Sequence, residues 1–377
     1  MILTYKYRLS PTAKQLHSLD DVLFQMQTVY NDALNERRWL WQRSRKSIGY
    51  ADQWKRMKQE RYNCPDEMGL LNVTSIQQML RRLDKGYRAF YKGQRGLPRF
   101  KGRNRFKSIE YHYSDGCKLT NDRLSIQHVG SVKVRLHRQI PSDATIKHVI
   151  IKKHVGNWYA CLMIELPDPQ PEAHPGQAVG IDVGMIRLAT LSDGQWLDNP
   201  RWLRKSLAQK RILNRKLSRQ KRYGSAWRKT VKSIGRLDEH IANQRKDFWH
   251  KATTKLVGTY STIVIENLNL SFMTRGHLSL SAHDASLGMF RQMLDYKAVE
   301  ASTQLIAVDP KNTSQACAGC GLIVKKSVSV RVHDCPDCGI LLDRDINAAL
   351  NILARGWRVD RLTYPVADCV LSEAPLL

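Results

Sequence analysis

Two sets of residues in this 377-residue chain are spaced for chemistry. Cys317-Ala318-Gly319-Cys320 and Cys335-Pro336-Asp337-Cys338 form two Cys-x-x-Cys turns separated by 14 residues, each closed by a glycine, Gly321 and Gly339. Four thiolates at this spacing suit tetrahedral Zn²⁺, and a four-thiolate shell leaves no open position for catalysis, so the expected zinc is structural. The second set is acidic. Gly180-Ile181-Asp182-Val183-Gly184 ends an apolar strand in Asp182, Ile263-Val264-Ile265-Glu266-Asn267-Leu268 ends another in Glu266, and Asp345-Ile346-Asn347-Ala348-Ala349-Leu350 opens a helix with Asp345. An acid ending a buried strand is costly to keep ionised unless it binds a cation or is hydrogen-bonded. Two acids on neighbouring strands and one on a packing helix suit a site that holds two metal ions across a phosphodiester. Each acid alone has an ordinary reading as well, since an Asp-x-Gly hairpin also occurs in actin-like ATPases and a strand-terminal Glu is often a surface residue.

The elements that must position these residues lie in a folded, strongly basic protein. Lys and Arg number 61 against 34 Asp and Glu, giving a net charge of +27 and a demand for an anionic partner. A hydrophobic content of 42 % with 9 Trp and 14 Tyr excludes a disordered polycation, and the length allows two to three domains. No apolar run reaches the roughly 18 residues needed to span a bilayer. The opening Met1–Arg8 alternates like a strand and does not resemble a signal peptide. The expected location is cytoplasmic, with no membrane partner. Cys64, Cys117, Cys161 and Cys369 then read as spare thiols of a reducing compartment.

After the first strand, helical periodicity covers residues 13–45 and again 74–91, the latter with Ile76, Met79, Leu80, Leu83, Tyr87 and Phe90 inward and Arg81, Arg82, Lys85 and Arg88 outward. A glycine-punctuated basic loop and five short alternating runs follow, which read as a small β-barrel or sandwich with a helical insertion after its first strand. Residues 167–175, with four prolines, read as a linker. Beyond it come a hairpin (178–182 and 187–192), a long helical region (201–257) broken near Gly224, a buried strand (262–266), a helix (285–303), a strand (304–308), the cysteine segment and a last helix (345–354). Between Asp198 and Asp238 there is no carboxylate but 14 Lys or Arg. One-sign charge at this density repels itself unless phosphates neutralise it, so this stretch, including Arg215 and Arg222, is an expected nucleic-acid contact. Arg99, Lys101, Arg103 and Arg105 alternate along the basic loop and are expected on phosphate. Gln77, Gln78, Arg81 and Arg82, on the open side of the second helix, are candidates for reading duplex. No G-x-G-x-x-G or P-loop appears, and the pattern is an α/β nuclease type.

These motifs, with Leu188–Gly194, Asn243–Lys251, Thr313-Ser314-Gln315 and Asp343-Arg344-Asp345-Ile346-Asn347-Ala348-Ala349, resemble the TnpB (OrfB) family of bacterial and archaeal insertion sequences. The amino-terminal Tyr7–Thr12, Tyr30-Asn31 and Gly96-Leu97-Pro98-Arg99-Phe100-Lys101 are similar to that family too. The resemblance implies an RNA-guided DNA endonuclease encoded by a transposable element and related to type V CRISPR effectors, in a prokaryotic, nucleoid-associated setting. It implies an α/β multidomain fold: an RNase H-like (RuvC) nuclease domain (176–316 and 339–356) with an inserted zinc ribbon (317–338), a wedge β-barrel (1–12 and 95–170) with a helical recognition insert (13–94), and a tail (357–377). The implied catalytic triad is Asp182, Glu266 and Asp345 on two Mg²⁺, with Asp343 as a capping or supporting acid. The zinc ligands are Cys317, Cys320, Cys335 and Cys338. The implied partners are a transposon-derived guide RNA and double-stranded target DNA with a short flanking motif, one protein chain per RNA. A nuclease-dead RNA-guided repressor and a transposase-accessory DNA-binding protein are the alternative readings. The chain departs from the family at Met185-Ile186, apolar where a polar residue is common.

Overall fold

The computed structural model describes residues 1–63, 69–102, 105–168, 176–269, 279–327 and 329–363, the last six of these by their backbone only. The chain divides into two compact units, Met1–Asp168 and Pro169–Leu377.

The first unit is built on strand β1 (Ile2–Ser10), whose alternation buries Tyr5, Tyr7 and Leu9. Helix α1 (Ala13–Ser44) starts at Thr12 because Thr12 and Gln15 cap each other: Thr12 Oγ1 accepts from the Gln15 amide at 3.3 Å, and Gln15 Oε1 from the Thr12 amide at 3.0 Å. Helix α2 (Tyr50–Asn63) has no counterpart in the sequence reading. It buries only Gln53 and Met57, packs the short apolar stripe Tyr50, Trp54 and Met57 on the core, and adds polar pins. Gln53 donates to the Ala33 carbonyl and to Glu36, both at 2.7 Å, and accepts from Arg37 Nε at 2.6 Å. Helix α3 (Val73–Tyr91) is capped by Asn72 and buries Ile76, Met79, Leu80, Leu83 and Tyr87. Phe90, expected inward, is exposed at the end of that stripe.

Strands β2 (Ser108–Tyr113), β3 (Gly116–Thr120), β4 (Arg123–Ile126), β5 (Gly130–Arg135), β6 (Thr145–His154) and β7 (Asn157–Glu165) complete a closed seven-stranded barrel of order β1-β5-β4-β3-β2-β6-β7. Closure rests on β1, which pairs antiparallel with β7 from Ile2–Glu165 to Leu9–Trp158 and with β5 at its other edge. Barrel interior and helix stripes form one core.

The second unit centres on a five-stranded sheet of order β10-β9-β8-β11-β12. Strands β8 (Gln177–Asp182), β9 (Arg187–Leu191) and β10 (Trp196–Asp198) form an antiparallel meander. Two long helices, α4 (Trp202–Ser218) and α5 (Ser225–Thr259), lead to β11 (Tyr260–Glu266), which runs parallel to β8, as a crossover of that length permits. Helices α6 (Ser279–Ala285) and α7 (Leu287–Glu300) precede β12 (Gln304–Val308), parallel to β11. A hairpin of β13 (Val332–Asp334) and β14 (Leu341–Asp343) leads into α8 (Arg344–Thr363). Trp249, Phe290, Leu294 and Ile265 form the larger core; Trp249 Nε1 donates to the Ala285 carbonyl at 3.0 Å. Helix α8 packs on β8, β11 and β12, where Ile352 meets Val264 and Val308. Among the described residues no helix is long and apolar enough to cross a membrane.

Candidate active site and metal centre

Parallel pairing in register brings the first two acids together. The last β8–β11 pair is Ile181 with Ile265, and one step further both strands end, in Asp182 and Glu266. Adjacent strands lie about 4.8 Å apart, so the two carboxylates are neighbours at the carboxyl end of the sheet. The third acid comes from α8, which can lie against β8 because residue 180 has no side chain. A Cβ at Gly180 would stand 2.1 Å from the Ala349 carbonyl oxygen and 2.7 Å from the Leu353 amide. Asp343 Oδ1 accepts from the amides of Asp345 (2.8 Å) and Ile346 (3.3 Å), capping the helix, while its Oδ2 pairs with Arg187 at 3.1 Å. That is the supporting role read for Asp343 in the sequence.

Asp182, Glu266 and Asp345 line one cavity of about 560 Å³. Burial, then the nearby charges of Glu266 and Asp345, push the Asp182 carboxyl up to about 7. Burial also raises Glu266, opposed by the Thr313 hydroxyl, which donates to its Oε1 at 2.5 Å, and by Arg355. Two adjoining carboxyls, Asp182 and Glu266, that resist ionisation on their own have the chemistry of a cation site. The rim is basic: Arg187, Arg201, Arg204, Arg331 and Arg344 line the same cavity, and Arg331 reaches Asp345 at 3.5 Å. The start of α4, which carries Arg204 to this rim with Arg201 just before it, is capped by buried Asp284. That acid accepts from the Leu203 and Arg204 amides at 2.9 and 3.2 Å and pairs with Arg245 at 3.3 Å.

The four cysteines converge as well. Their sulfurs lie within 4.8 Å of one another, with Cys317–Cys338 and Cys320–Cys335 each 3.5 Å apart. Four thiols at that spacing fit a tetrahedral zinc ion. Helix α8 ties this cluster to the acids. Buried Asn347 accepts from the Ala318 amide at 2.9 Å and donates to the Ala316 carbonyl at 2.7 Å; Asn351 donates to the carbonyls of Thr313 (2.9 Å) and Ala316 (2.7 Å). One helix therefore presents Asp345 to the cavity, Asn347 and Asn351 to the cysteine segment, and buried Ala348 and Ala349 to the sheet.

The expected nucleic-acid residues are scattered over both units. In the first, Gln77 and Gln78 are half-buried on α3, and Arg81 lies over the Tyr50 ring at 5.3 Å. Arg82 is exposed and reaches β2, donating to Ser108 Oγ and to its carbonyl at 3.0 and 3.2 Å. Arg99 and Arg105 are exposed and Lys101 half-buried, on a loop pinned to α1: Asn31 both accepts from the Lys101 amide and donates to its carbonyl, and the Tyr30 hydroxyl reaches the Arg99 carbonyl. Those contacts account for the Tyr30-Asn31 motif. Arg103 lies outside the described residues. In the second unit Arg215 is exposed on α4, and Arg222 lies over the Tyr223 ring at 5.0 Å. Nothing in the sequence reading assigns a role to Thr313, Asn347, Asn351, Asp284 or the rim arginines Arg187, Arg331 and Arg344, whereas Arg201 and Arg204 fall in the basic stretch expected on nucleic acid. Of these, Thr313, Asn347 and Arg344 stand in the quoted motifs, with no sign there of what they touch.

The fold is that of compact type V CRISPR effectors. The Cas12f1 chain of a cryo-EM Cas12f1–sgRNA–target DNA complex superposes with a TM-score of 0.58 at 13 % identity, covering 93 % of this chain and 98 % of that one. Residues 161–276 match the OrfB model of IS605-type elements, described as "Probable transposase", and 288–352 match the Cas12f1-like TNB domain. Residues 1–46 match an OrfB helix-turn-helix model, although here they form one strand and one helix. A "Putative RNA-guided DNA endonuclease" of Streptomyces pristinaespiralis is 30 % identical, covering 93 % of this chain and 89 % of that protein. InsQ of Escherichia coli K12, with the same description, is 30 % identical over 99 % and 96 %. The chain belongs to the TnpB (OrfB) family and is an endonuclease.

Proposed function

We propose that this protein cleaves double-stranded DNA selected by a transposon-derived guide RNA, through an RNase H-like (RuvC) centre of Asp182, Glu266 and Asp345. The observation that carries the reading is the convergence of these acids in one arginine-rimmed cavity, with Asp182 held up to about 7 by burial and by the other two. Two Mg²⁺ held there would supply an activated water and neutralise charge at the leaving oxygen. The protein's own residues do the rest. Thr313 orients Glu266, Asp343 fixes the start of α8 and so the place of Asp345, and Arg201, Arg204 and Arg331 offer donors to the phosphates of a strand entering the cavity.

Base pairing with the guide selects the target, and the protein reads a short flanking motif. Gln77, Gln78 and Arg81 on α3 would face that duplex, with Arg82 fixing α3 to β2. Arg99, Lys101, Arg103, Arg105, Arg215 and Arg222 would meet phosphate. In this reading residues 1–12 and 95–170 form the wedge, 13–94 the recognition insert, 176–316 with 339–356 the nuclease, and 317–338 a zinc ribbon. A repressor that only occupies DNA has no use for three converging acids.

The test is co-expression with the RNA transcribed from the flank of the element, then incubation with Mg²⁺ and a plasmid carrying a matched target beside a randomised flank. Linear product that disappears with Asp182→Ala is expected. Tight, guide-dependent target binding with no cleavage would overturn the nuclease reading.

A further inference from the structure

Away from the acids, the first unit holds a cavity of about 410 Å³ between the end of α1 (Arg37, Arg38, Trp41) and the end of α3 (Tyr87, Phe90, Tyr91). That volume is in the range that encloses a small organic group. Its walls are aromatic and open to solvent: Trp41 is 50 % exposed, Tyr91 66 % and Phe90 37 %. Tyr91 packs on Tyr87 and Phe90 with ring centroids 6.1 and 5.6 Å apart. Among the described residues no carboxylate lines it, and arginines stand over the rings: Arg45 over Trp41 at 5.7 Å and Arg38 over Phe100 at 4.8 Å. The floor is rigid, because Arg37 is fully engaged with Gln53 and Asp84. Arg38 donates to the Pro98 carbonyl at 2.7 Å, but its buried Nε has no hydrogen-bond partner among the described residues.

We infer that this cavity takes an unpaired nucleobase of the guide RNA, stacked between Trp41 and Tyr91, with Arg38 donating to an acceptor on the base or its phosphate. Planar rings left exposed in a cationic setting suit a flat, polyanion-borne group, and stacking on aromatic and guanidinium planes is the usual way single-stranded bases are held. RNA is the source because loops of a folded RNA present splayed bases without the cost of opening a duplex. The inference rests on the RNA-guided reading above.

The test titrates the full-length protein with the RNA transcribed from the flank of its own element. The double variant Trp41→Ala, Tyr91→Ala removes two exposed side chains and is expected to weaken binding about tenfold or more. The slope of log Kd against log salt should not change, since no phosphate contact is lost. Trp41→Phe should retain most of the affinity. With 4-thiouridine-substituted RNA, crosslinks should map to Trp41 or Tyr91. The inference is overturned if wild type binds the RNA and the double variant binds it equally, if the crosslinks go instead to 4-thiothymidine-substituted target DNA, or if the variant changes the oligomeric state by light scattering, which would make the cavity a protein interface. A wild type that binds no RNA would defeat the RNA-guided reading as well, which separates the two failures.

Discussion

The cysteine cluster and the acid cluster each gather ligand atoms at one point, and they do so by opposite means. The four sulfurs come from residues 317–338, two tight turns and the start of a short hairpin, and their meeting is a local matter. The acids stand at positions 182, 266 and 345 and meet only because β8 and β11 run parallel in register and α8 lies close over Gly180. A cluster written in local spacing depends little on the rest of the fold, whereas one assembled by topology inherits every error in it. The two are coupled through α8, and the coupling runs mainly one way: Asn347 and Asn351 brace the helix against the cysteine segment, while the cysteines make no use of the acids.

Sharp tests of that asymmetry can be ranked. Glu266→Gln should cut guided cleavage by on the order of 10³-fold or more and leave zinc at one per chain by metal analysis. The pair Cys320→Ser, Cys338→Ser should empty the zinc site and also cost cleavage roughly 100-fold, because Asp345 loses its brace. Equal cleavage with the zinc gone would break the claim of coupling. Asn347→Ala leaves the part-buried Ala318 amide unpaired, at about 1–3 kcal/mol, and the Ala316 carbonyl with only its Asn351 donor, and should lower both zinc retention and cleavage, about tenfold in the latter.

Asp182→Asn tests the acids by stability. A carboxyl with an ordinary value of 3.8 that rises to about 7 in the fold favours the folded state below pH 3.8, and that contribution is lost as pH climbs through 7. Without divalent metal, Asp182→Asn should therefore raise stability by roughly 1–2 kcal/mol at pH 8 and change little at pH 4, measured by chemical denaturation. Thr313→Val removes the hydrogen bond that lowers Glu266. The expected cost is about 1 kcal/mol, a several-fold loss of cleavage, with the acid limb of the pH–rate profile moved to higher pH.

The same contrast explains what the sequence could disclose. Cys317, Cys320, Cys335 and Cys338 declare themselves by spacing, and the strands ending in Asp182 and Glu266 by apolar runs. The adjacency of those strands is a property of the β8–β11 register, which no local pattern encodes. Helix α2 is less legible because its apolar stripe is only Tyr50, Trp54 and Met57, and the fully buried anchor between them is Gln53, a polar residue with three hydrogen bonds. Helical phase places Arg82 outward, where it is exposed, but no local pattern shows that its guanidinium reaches Ser108 on β2. Asp284 lies 80 residues from the α4 amides it caps, beyond any motif.

Gly180 has an evolutionary consequence. A descendant that gave up cutting and kept only its hold on nucleic acid would be free to replace Asp182, and at neutral pH would gain stability by doing so. It would not be free to add even a methyl group two residues earlier, where the Ala349 carbonyl already occupies the space. In lineages that fall silent, the blank position should therefore outlast the acids it serves, and mark the ancestry of the fold after the chemistry has gone.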